Sequence, residues 1–214
     1  MRTRSNCTLC GHPAEPFYQD SRNRFFLCSN CQGIFRDPDQ WLPAPEERDR
    51  YLHHQNHPQD LGYLKFASPI LQEVRNHQEQ KQHGLDYGCG HTPVISEILN
   101  RENYSVANYD PFFFDNREAL DKTYDFIICC EVIEHFNAPA KEFSLLYDLL
   151  KPAGRLLCMT AIYHPGIDFS GWFYKNDATH VFLYQKKTLH WIAEDLQFQD
   201  LQIRDRLVVF TKKT

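Results

Sequence analysis

Four cysteines near the start of the chain are spaced as metal ligands. They form two Cys-x2-Cys pairs, Cys7 with Cys10 and Cys28 with Cys31. Two such pairs can bring four thiolates together around one tetrahedral Zn²⁺. Since four thiolates complete the coordination shell, the spacing predicts a structural zinc ribbon rather than a catalytic metal. The alternatives are two disulfides or four free thiols, which require oxidising export or exposed reactive groups.

A second group of residues has the spacing of a nucleotide-binding turn. Gly88 and Gly90 follow a short apolar run that ends at Tyr87, and Asp110 closes the next apolar run. Glycines at such a turn let backbone amides approach a ligand closely. An acid about 20 residues further on can accept both ribose hydroxyls of an adenosine. One Gly-x-Gly is weak evidence, but together with the strand, the helix and the spaced acid it predicts an adenosine ligand.

A third group combines carboxylates with imidazoles. If residues 131–135 begin a helical turn, Glu131, Glu134 and His135 share one face of it. His180 can supply a fourth group from a later loop. These four candidate catalytic residues suit proton transfer or divalent metal binding. His135 is the predicted general base because a neutral imidazole takes up a proton near pH 7. The structural alternative is a histidine that only caps the turn and shapes the pocket.

The apolar pattern predicts the elements that position these groups. Strands are expected at 85–87, 105–109, 124–130 and 155–160, with one or two more within 201–211, and helices at 93–100, 138–150 and 188–196. This alternation predicts an α/β fold with a mostly parallel sheet wrapped by helices. Upstream, two helices are expected at 46–53 and 63–78, and short strands at 17–18 and 25–27 within the cysteine-rich unit.

Three segments together resemble class I S-adenosylmethionine-dependent methyltransferases. They are Asp86-Tyr-Gly88-Cys-Gly90, Asp110, and Asp125-Phe-Ile-Ile-Cys-Cys-Glu131-Val-Ile-Glu134-His135. The resemblance covers about residues 60–210 and implies a Rossmann-like fold with a seven-stranded sheet. It also implies S-adenosylmethionine as cofactor, with Asp110 on the ribose and residues 130 and 131 beside the methyl end. The implied cofactor-binding residues are Tyr63, Asp86, Gly88, Cys89, Gly90, Asp110, Pro111, Cys130 and Glu131.

One position departs from the pattern of that family. The loop usually continues to a third glycine, and Thr92 stands there instead. Thr92 followed by Pro93 is a good combination for an N-cap and the first helical position. We therefore expect cofactor binding with an altered amino-acid end of the pocket. The alternative is a fold that has lost its cofactor.

The segment Glu131-Val-Ile-Glu134-His135 carries a second resemblance. It is similar to plant small-RNA 2′-O-methyltransferases, in which the matching Glu, Glu, His and a distal His, here His180, bind magnesium. Related methyltransferases for small molecules carry the same segment without a metal. A second divalent metal at these four residues is therefore an alternative to proton transfer.

The composition limits the classes of protein to which this chain can belong. The 214 residues carry 23 Lys and Arg against 28 Asp and Glu, a formal net charge of −5. General electrostatic attraction to nucleic acid needs the opposite sign, so any such contact must be local. No apolar run approaches the ~18 residues of a membrane span, and no apolar leader precedes Cys7. We expect a cytoplasmic protein without a membrane partner.

The predicted domain organisation has three parts. Residues 1–36 form the zinc ribbon, 37–80 a linker with lid helices, and 81–214 the methyltransferase domain. The first functional hypothesis is methyl transfer to a small-molecule substrate, since sugar C-methyltransferases with a Cys-rich N-terminal domain resemble this layout. The second is an RNA methyltransferase that uses the ribbon for RNA docking. The third is a non-catalytic module that binds the cofactor and docks a protein partner.

Overall fold

The computed structural model describes residues 5–53 and 59–214, so the middle of the predicted linker lies partly outside the described residues. Its strands are β1 (Ser5–Asn6), β2 (Pro13–Gln19), β3 (Arg24–Cys28), β4 (Ile34–Arg36), β5 (His83–Tyr87), β6 (Ser105–Tyr109), β7 (Tyr124–Cys130), β8 (Leu150–Met159), β9 (Phe182–Leu183), β10 (Asp200–Arg204) and β11 (Leu207–Thr211). Its helices are α1 (Ala44–Tyr51), α2 (Leu61–His77), α3 (Val94–Arg101), α4 (Pro139–Leu149) and α5 (Lys186–Asp195). Short 3-10 turns lie at Pro38–Gln40, Arg117–Asp121, Ile133–His135 and Phe173–Asn176.

The larger sheet has the strand order β10-β11-β8-β7-β5-β6. Strands β5 to β8 pair in parallel, and the hairpin of β10 and β11 adds to β8 in the antiparallel sense. The predicted parallel sheet with alternating helices is confirmed. Because parallel strands end at the same edge of a sheet, the segments after β5, β6 and β7 meet at one edge.

The predicted number of seven strands is wrong for the described residues, which give this sheet six strands. The sheet ends at β6, and the chain after it turns back at once, with Asp110 and Phe114 bridged to each other. The residues that follow form the 3-10 turn Arg117–Asp121. Polar residues from Asp115 to Glu118 interrupt the apolar run there, so no further strand can pack a continuous apolar face.

The smaller sheet contains the cysteine pairs and has the order β1-β2-β3-β4-β9. The predicted strands 17–18 and 25–27 lie within β2 and β3, as expected. The sequence did not predict β4, nor its pairing with β9, in which Ile34 lies opposite Leu183 and Phe35 opposite Phe182. The edge of the ribbon sheet is therefore completed by a segment from late in the chain.

Aromatic rings of the smaller sheet lie in an apolar core that it shares with the larger sheet. Phe35 stacks with Phe26 at 5.7 Å and with Phe182 at 6.3 Å between ring centroids. All three rings belong to the apolar core that lies under α4 and α5. A second core, which includes Ile70 and Leu99, packs α2 and α3 on the opposite face of the larger sheet. Among residues 5–53 and 59–214, no helix is long and apolar enough to span a bilayer.

Two element boundaries differ from prediction for local reasons. Helix α2 begins at Leu61 because the Asp60 carboxylate accepts the backbone N–H groups of Gly62 and Tyr63. Strand β8 begins at Leu150, ahead of the predicted strand at 155–160, and its pairing with β7 shifts register between Leu150 and Arg155. The predicted strand 155–160 is the second half of β8.

Candidate active site

A cleft of about 890 Å³ opens at the edge where β5, β6 and β7 end. All nine predicted cofactor-binding residues line it: Tyr63, Asp86, Gly88, Cys89, Gly90, Asp110, Pro111, Cys130 and Glu131. His135 and His180 line it as well, whereas Glu134 lies behind the wall and is fully buried. The structure thus brings the nucleotide-turn residues and the imidazoles to one cavity, and their individual roles remain predictions.

The glycine turn is held by the acid that follows β6. The Asp110 carboxylate accepts the backbone N–H of Gly90 at 3.0 Å, of Phe112 at 2.8 Å and of Phe113 at 3.1 Å. Gly88 donates its own N–H to the Tyr109 carbonyl at 2.8 Å. A carboxylate has about four acceptor positions, so Asp110 can fix this loop and still accept a hydroxyl from a ligand.

Gly88 is expected to tolerate substitution much less well than Gly90. Both have positive φ, +77° and +67°, but a Cβ on Gly88 would lie 2.6 Å from Val132 Cγ1, while one on Gly90 would meet nothing within 4 Å. Gly88→Ala should therefore lower the free energy of unfolding by about 2–4 kcal/mol, and Gly90→Ala by about 1–2 kcal/mol. Urea denaturation of both variants measures the difference, and equal losses would contradict the close approach at Val132.

The start of α3 differs from prediction. Thr92 does not act as N-cap: Pro93 occupies the cap position, and no side chain caps the helix from there. Instead, the Asp86 carboxylate of β5 accepts the backbone N–H of Ser96 in the first turn at 3.3 Å. Since Asp86 serves this helix end from the neighbouring strand, the expected capping role of Thr92 is wrong. The Thr92 side chain lines the cleft instead.

Asp86 is expected to make stability depend on pH. Burial raises the pKa of Asp86 to about 7, and the bond from Ser96 only partly opposes this shift. The folded protein therefore holds this proton more tightly than the unfolded chain, so the free energy of unfolding should fall as pH rises from about 4 to about 7. The effect should amount to a few kcal/mol, at about 1.4 kcal/mol per pKa unit.

Asp86→Asn should remove this contribution because the amide keeps the acceptor oxygen and does not titrate. Urea denaturation of both proteins between pH 4.5 and 7.5 tests this. We expect the stability of wild type relative to the variant to decline across that range. A constant difference would mean that Asp86 does not titrate there.

Glu134, His135 and His180 form a compact group, with one ligand atom from each within 4.8 Å of the others. His135 Nδ1 lies 2.9 Å from the Thr179 carbonyl oxygen, and His180 Nδ1 lies 2.7 Å from the Tyr174 carbonyl oxygen. Because a carbonyl oxygen only accepts, Nδ1 carries the proton in each neutral ring. Nε2 is then the basic nitrogen of each imidazole.

Burial mainly determines the protonation states of Glu134 and His180. Burial, with the nearby Glu131 charge, raises the pKa of Glu134 to about 8, so this acid is largely protonated at neutral pH. Burial also lowers the pKa of His180 to about 4, which keeps that imidazole neutral. His135 is less buried than either and lines the cleft. It is therefore the best placed of the three to exchange a proton with a bound molecule.

Glu131 does not share the predicted helical turn with the other two residues. That turn begins at Ile133, and Glu131 has a positive φ of 54° just before it. Its carboxylate pairs with Arg206, at 2.6 Å from Nη2 to Oε1. The structure thus brings three of the four predicted catalytic residues together and places the fourth beside a cation.

Sequence reasoning missed Tyr174 as a member of this site. Its hydroxyl lies 3.1 Å from Thr160 Oγ1 and 3.2 Å from Glu131 Oε2, and it contacts Glu134 Oε1 more closely still. Tyr174 therefore links the two carboxylates that the sequence placed on one helix face. An aromatic run at 172–174 was the only signal, and it did not distinguish a contact from core packing.

Helix α1 forms one wall of the cleft. Arg50 makes two bonds to the Asp177 carboxylate, at 2.8 and 2.9 Å. The Tyr51 ring lies 5.3 Å from His135 and 5.9 Å from Phe112, measured between centroids. The predicted lid region thus touches both the imidazole group and the aromatic residues after β6.

The four cysteines of the ribbon also converge, with their sulfur atoms within 4.8 Å of one another. Cys7 Sγ lies 3.5 Å from Cys31 Sγ, and Cys10 Sγ lies 3.4 Å from Cys28 Sγ. All eight cysteines are free, so the disulfide alternative does not describe this structure. Four thiols at these separations are a donor set that fits tetrahedral Zn²⁺, whose Zn–S bonds are about 2.3 Å long.

Comparison with known families decides what kind of domain holds this cleft. A family model described as a methyltransferase domain matches residues 51–203. The chain belongs to this family. The predicted enzyme class, methyltransferase, is thereby confirmed. The matched segment includes the glycine turn, Asp110 and the imidazole group, but not the four ribbon cysteines.

Two solved structures share the methyltransferase fold. An O-methyltransferase family protein from Burkholderia thailandensis is 14% identical, with a TM-score of 0.55 over 78% of this chain and 63% of its own length. This methyltransferase thus spans less than two thirds of that protein. The 1,6-didemethyltoxoflavin-N1-methyltransferase of the same organism, with S-adenosylhomocysteine bound, is 16% identical, with a TM-score of 0.51 over 94% of this chain and 100% of its own. A comparison with functionally curated proteins gives no match.

Proposed function

We propose that this methyltransferase transfers a methyl group from S-adenosylmethionine to a small-molecule acceptor. The observation that carries the proposal is the shared cleft, which the Gly88–Gly90 turn, Asp110 and His135 all line. Such a cleft can hold a nucleoside at one end and a second molecule beside a base. Alignment of two reactants in one cavity supplies a large part of the rate in a group transfer.

The residues at the cofactor end fit the cofactor. Gly90 faces open space, since a Cβ there would meet no atom within 4 Å, so a ligand can approach its backbone. Asp110 would accept a ribose hydroxyl at the acceptor position that its three backbone bonds leave, and Cys130 and Glu131 would border the amino-acid and methyl end. When bound, S-adenosylmethionine supplies an electrophilic methyl group. The role of the protein is to orient it and to exclude water.

At the acceptor end, the protein would handle the proton that an oxygen or nitrogen nucleophile loses. His135 is suited to take it at Nε2 because Thr179 holds the proton on Nδ1. Buried Glu134 and His180 stand next to this imidazole and would keep its position. A divalent metal at Glu134, His135 and His180 remains the alternative use of the same group.

The charge of the cleft supports a neutral or cationic acceptor of small size. Its acidic lining residues among those described are Glu47, Asp86, Asp110, Glu131, Glu142 and Asp177. Two of them contribute less charge, since Glu131 pairs with Arg206 and burial raises the pKa of Asp86 to about 7. Arg50 is the only lysine or arginine among the described lining residues, and Asp177 neutralises it. A polyanion such as RNA would meet repulsion here. The structural neighbour with bound 1,6-didemethyltoxoflavin also supports a small-molecule acceptor.

Calorimetric titration with S-adenosylhomocysteine tests the cofactor half of the proposal, and micromolar binding is expected. Radiolabelled methyl transfer from S-adenosylmethionine to fractions of small metabolites and, separately, to total RNA tests the acceptor half. Label in the small-molecule fraction alone supports the proposal. Label in RNA that is lost at high salt would replace it with the RNA-docking hypothesis. Binding without transfer to either pool would favour the non-catalytic module.

We also propose that the four ribbon cysteines bind one structural Zn²⁺. Metal analysis of the purified protein should give one zinc per chain. Cys28→Ser should lose the metal and lower the melting temperature, because the ribbon depends on the metal for much of its stability. Cys89→Ser, a change outside the cluster, should keep the zinc. A zinc content unchanged in Cys28→Ser would contradict the assignment.

A further inference from the structure

A buried arginine of the ribbon reaches into the loop that forms the acceptor end of the cleft. Arg36 is the last residue of β4 and is only 3% exposed. Its guanidinium donates to the backbone carbonyl oxygens of Lys175 at 2.8 Å, Asp177 at 2.9 Å and His180 at 3.3 Å. A fourth bond goes to Asn23 Oδ1 at 2.7 Å. One side chain of the ribbon thus holds three carbonyls of residues 175–180.

The choice of partners shows what this arginine does. A buried guanidinium is normally paired with a carboxylate because burial of a charge is costly. The hydrogen-bond partners described for Arg36 are backbone carbonyls and one amide, so its bonds define the path of a main chain. The rigid planar fork of arginine can satisfy several carbonyls at fixed angles, which a lysine ammonium cannot reproduce.

Other ribbon contacts reach the same segment. The Arg36 backbone N–H donates to Val181 O at 2.9 Å, just before β9 pairs with β4. The Lys175 ammonium lies 3.7 Å from Asp20 and over the Tyr18 ring of β2. Phe169, which precedes the segment, packs edge-on against Phe17, Tyr18 and Phe25 of the ribbon. The ribbon therefore holds both ends of the chain between residues 169 and 183.

Residues 174–180 make several of the contacts that hold the imidazole group in place. Tyr174 contacts Glu134, the Thr179 carbonyl fixes the His135 tautomer, and His180 belongs to the group itself. Asp177 receives Arg50 from α1. A shift of the 174–180 backbone would therefore move the base that we propose for proton removal.

We propose that the ribbon is an internal clamp for the cleft segment 174–180, and that Arg36 is the positioning residue through which it acts on His135 and His180. The effect on catalysis rests on the proposed methyl transfer, but the clamp itself does not. Its role is to fix the carbonyls at 175–180 so that the two imidazoles keep their geometry.

Hydrogen exchange of the full-length, metal-loaded protein tests the clamp without an acceptor. In Arg36→Lys, peptides that cover 177–181 should exchange about tenfold faster or more, since the amides of Thr179 and His180 are bonded to Asp177, and that of Val181 is bonded to the Glu134 carbonyl. Peptides from β6, at the far edge of the larger sheet, should be unchanged. Arg24→Lys is the matched control, because Arg24 pairs with Asp37, the residue that follows the ribbon, and no contact described for Arg24 joins it to the segment.

Nitrogen NMR spectra of the histidine side chains report a change that a general loss of stability would not produce. In wild type and Arg24→Lys, His135 and His180 should show protonated Nδ1 signals. In folded Arg36→Lys these signals should shift or broaden, while S-adenosylhomocysteine affinity stays within about twofold because the glycine turn lies outside the segment. Asn23→Ala, which removes one partner of the guanidinium, should loosen the same segment to a smaller extent. It replaces Arg36→Lys in both measurements if Arg36→Lys does not fold.

Unchanged exchange and unchanged histidine signals in Arg36→Lys would overturn the proposal. Faster exchange spread evenly over the chain, β6 included, would also overturn it, since Arg36 would then be a general stability residue. If Arg36→Lys does not fold, unaltered exchange at 177–181 in Asn23→Ala would have the same consequence. Failure of wild-type protein to bind S-adenosylhomocysteine would instead refute the proposed function and leave these two measurements valid.

Discussion

Asp110→Ala is expected to weaken S-adenosylhomocysteine binding by about 10- to 100-fold. The sequence predicted one reason, the loss of a charged acceptor for the ribose hydroxyls. The structure adds another, because the same carboxylate accepts the backbone N–H groups of Gly90, Phe112 and Phe113. Without it, the glycine turn loses its anchor as well as the ligand contact. Calorimetric titration measures the affinity.

Asp115→Ala provides the control for this prediction. Asp115 lies in the same loop, is exposed and pairs with Arg117 at 3.0 Å, so its loss should leave the affinity unchanged. Urea denaturation of both variants separates a local effect from unfolding. If Asp110→Ala binds as wild type does, the carboxylate does not contact the ribose, and the turn does not depend on it.

His135→Ala is expected to lower turnover by about 10²- to 10⁴-fold, the usual contribution of a general base. S-adenosylhomocysteine affinity should change little because His135 is not among the residues predicted to bind the cofactor. The measurement is the steady-state rate with the acceptor found by labelled methyl transfer, together with calorimetry. A lower kcat with an unchanged KM for S-adenosylmethionine would place the loss in the chemical step.

His190→Ala is the matched control, since His190 is exposed on α5 and is not among the residues that line the cleft. It should keep the wild-type rate. His180→Ala tests the other imidazole of the group. A His135→Ala enzyme as fast as wild type, with His180→Ala slow, would move the role of base to His180.

The parts of the fold that the sequence predicted depend on local pattern. The buried strand at 124–130 could be read directly because a continuous apolar run bounded by polar residues is typical of a central parallel strand. The glycine turn and Asp110 could be placed at one sheet edge because the ends of parallel strands meet there. The four cysteines could be grouped from spacing alone, since two such pairs are compatible with few other structures.

What the sequence could not predict depends on contacts between distant segments. The pairing of β4 with β9 joins two short strands whose own patterns carry no signal for each other. Arg36 reads as an ordinary surface charge until its burial against the carbonyls of 175–180 is known. The seventh strand was implied by the family resemblance alone, and the polar residues after Phe114 are where this chain departs from it.

The pairing of β4 with β9 also affects the order of folding during synthesis. The cysteine unit leaves the ribosome long before β9, the strand that closes its sheet. Until then β4 is an open edge, with Ile34 and Phe35 uncovered, and such an edge can pair with other chains. Contacts this distant in sequence also form slowly. A nascent chain that stalls before residue 182 is therefore exposed to aggregation through the open edge of β4.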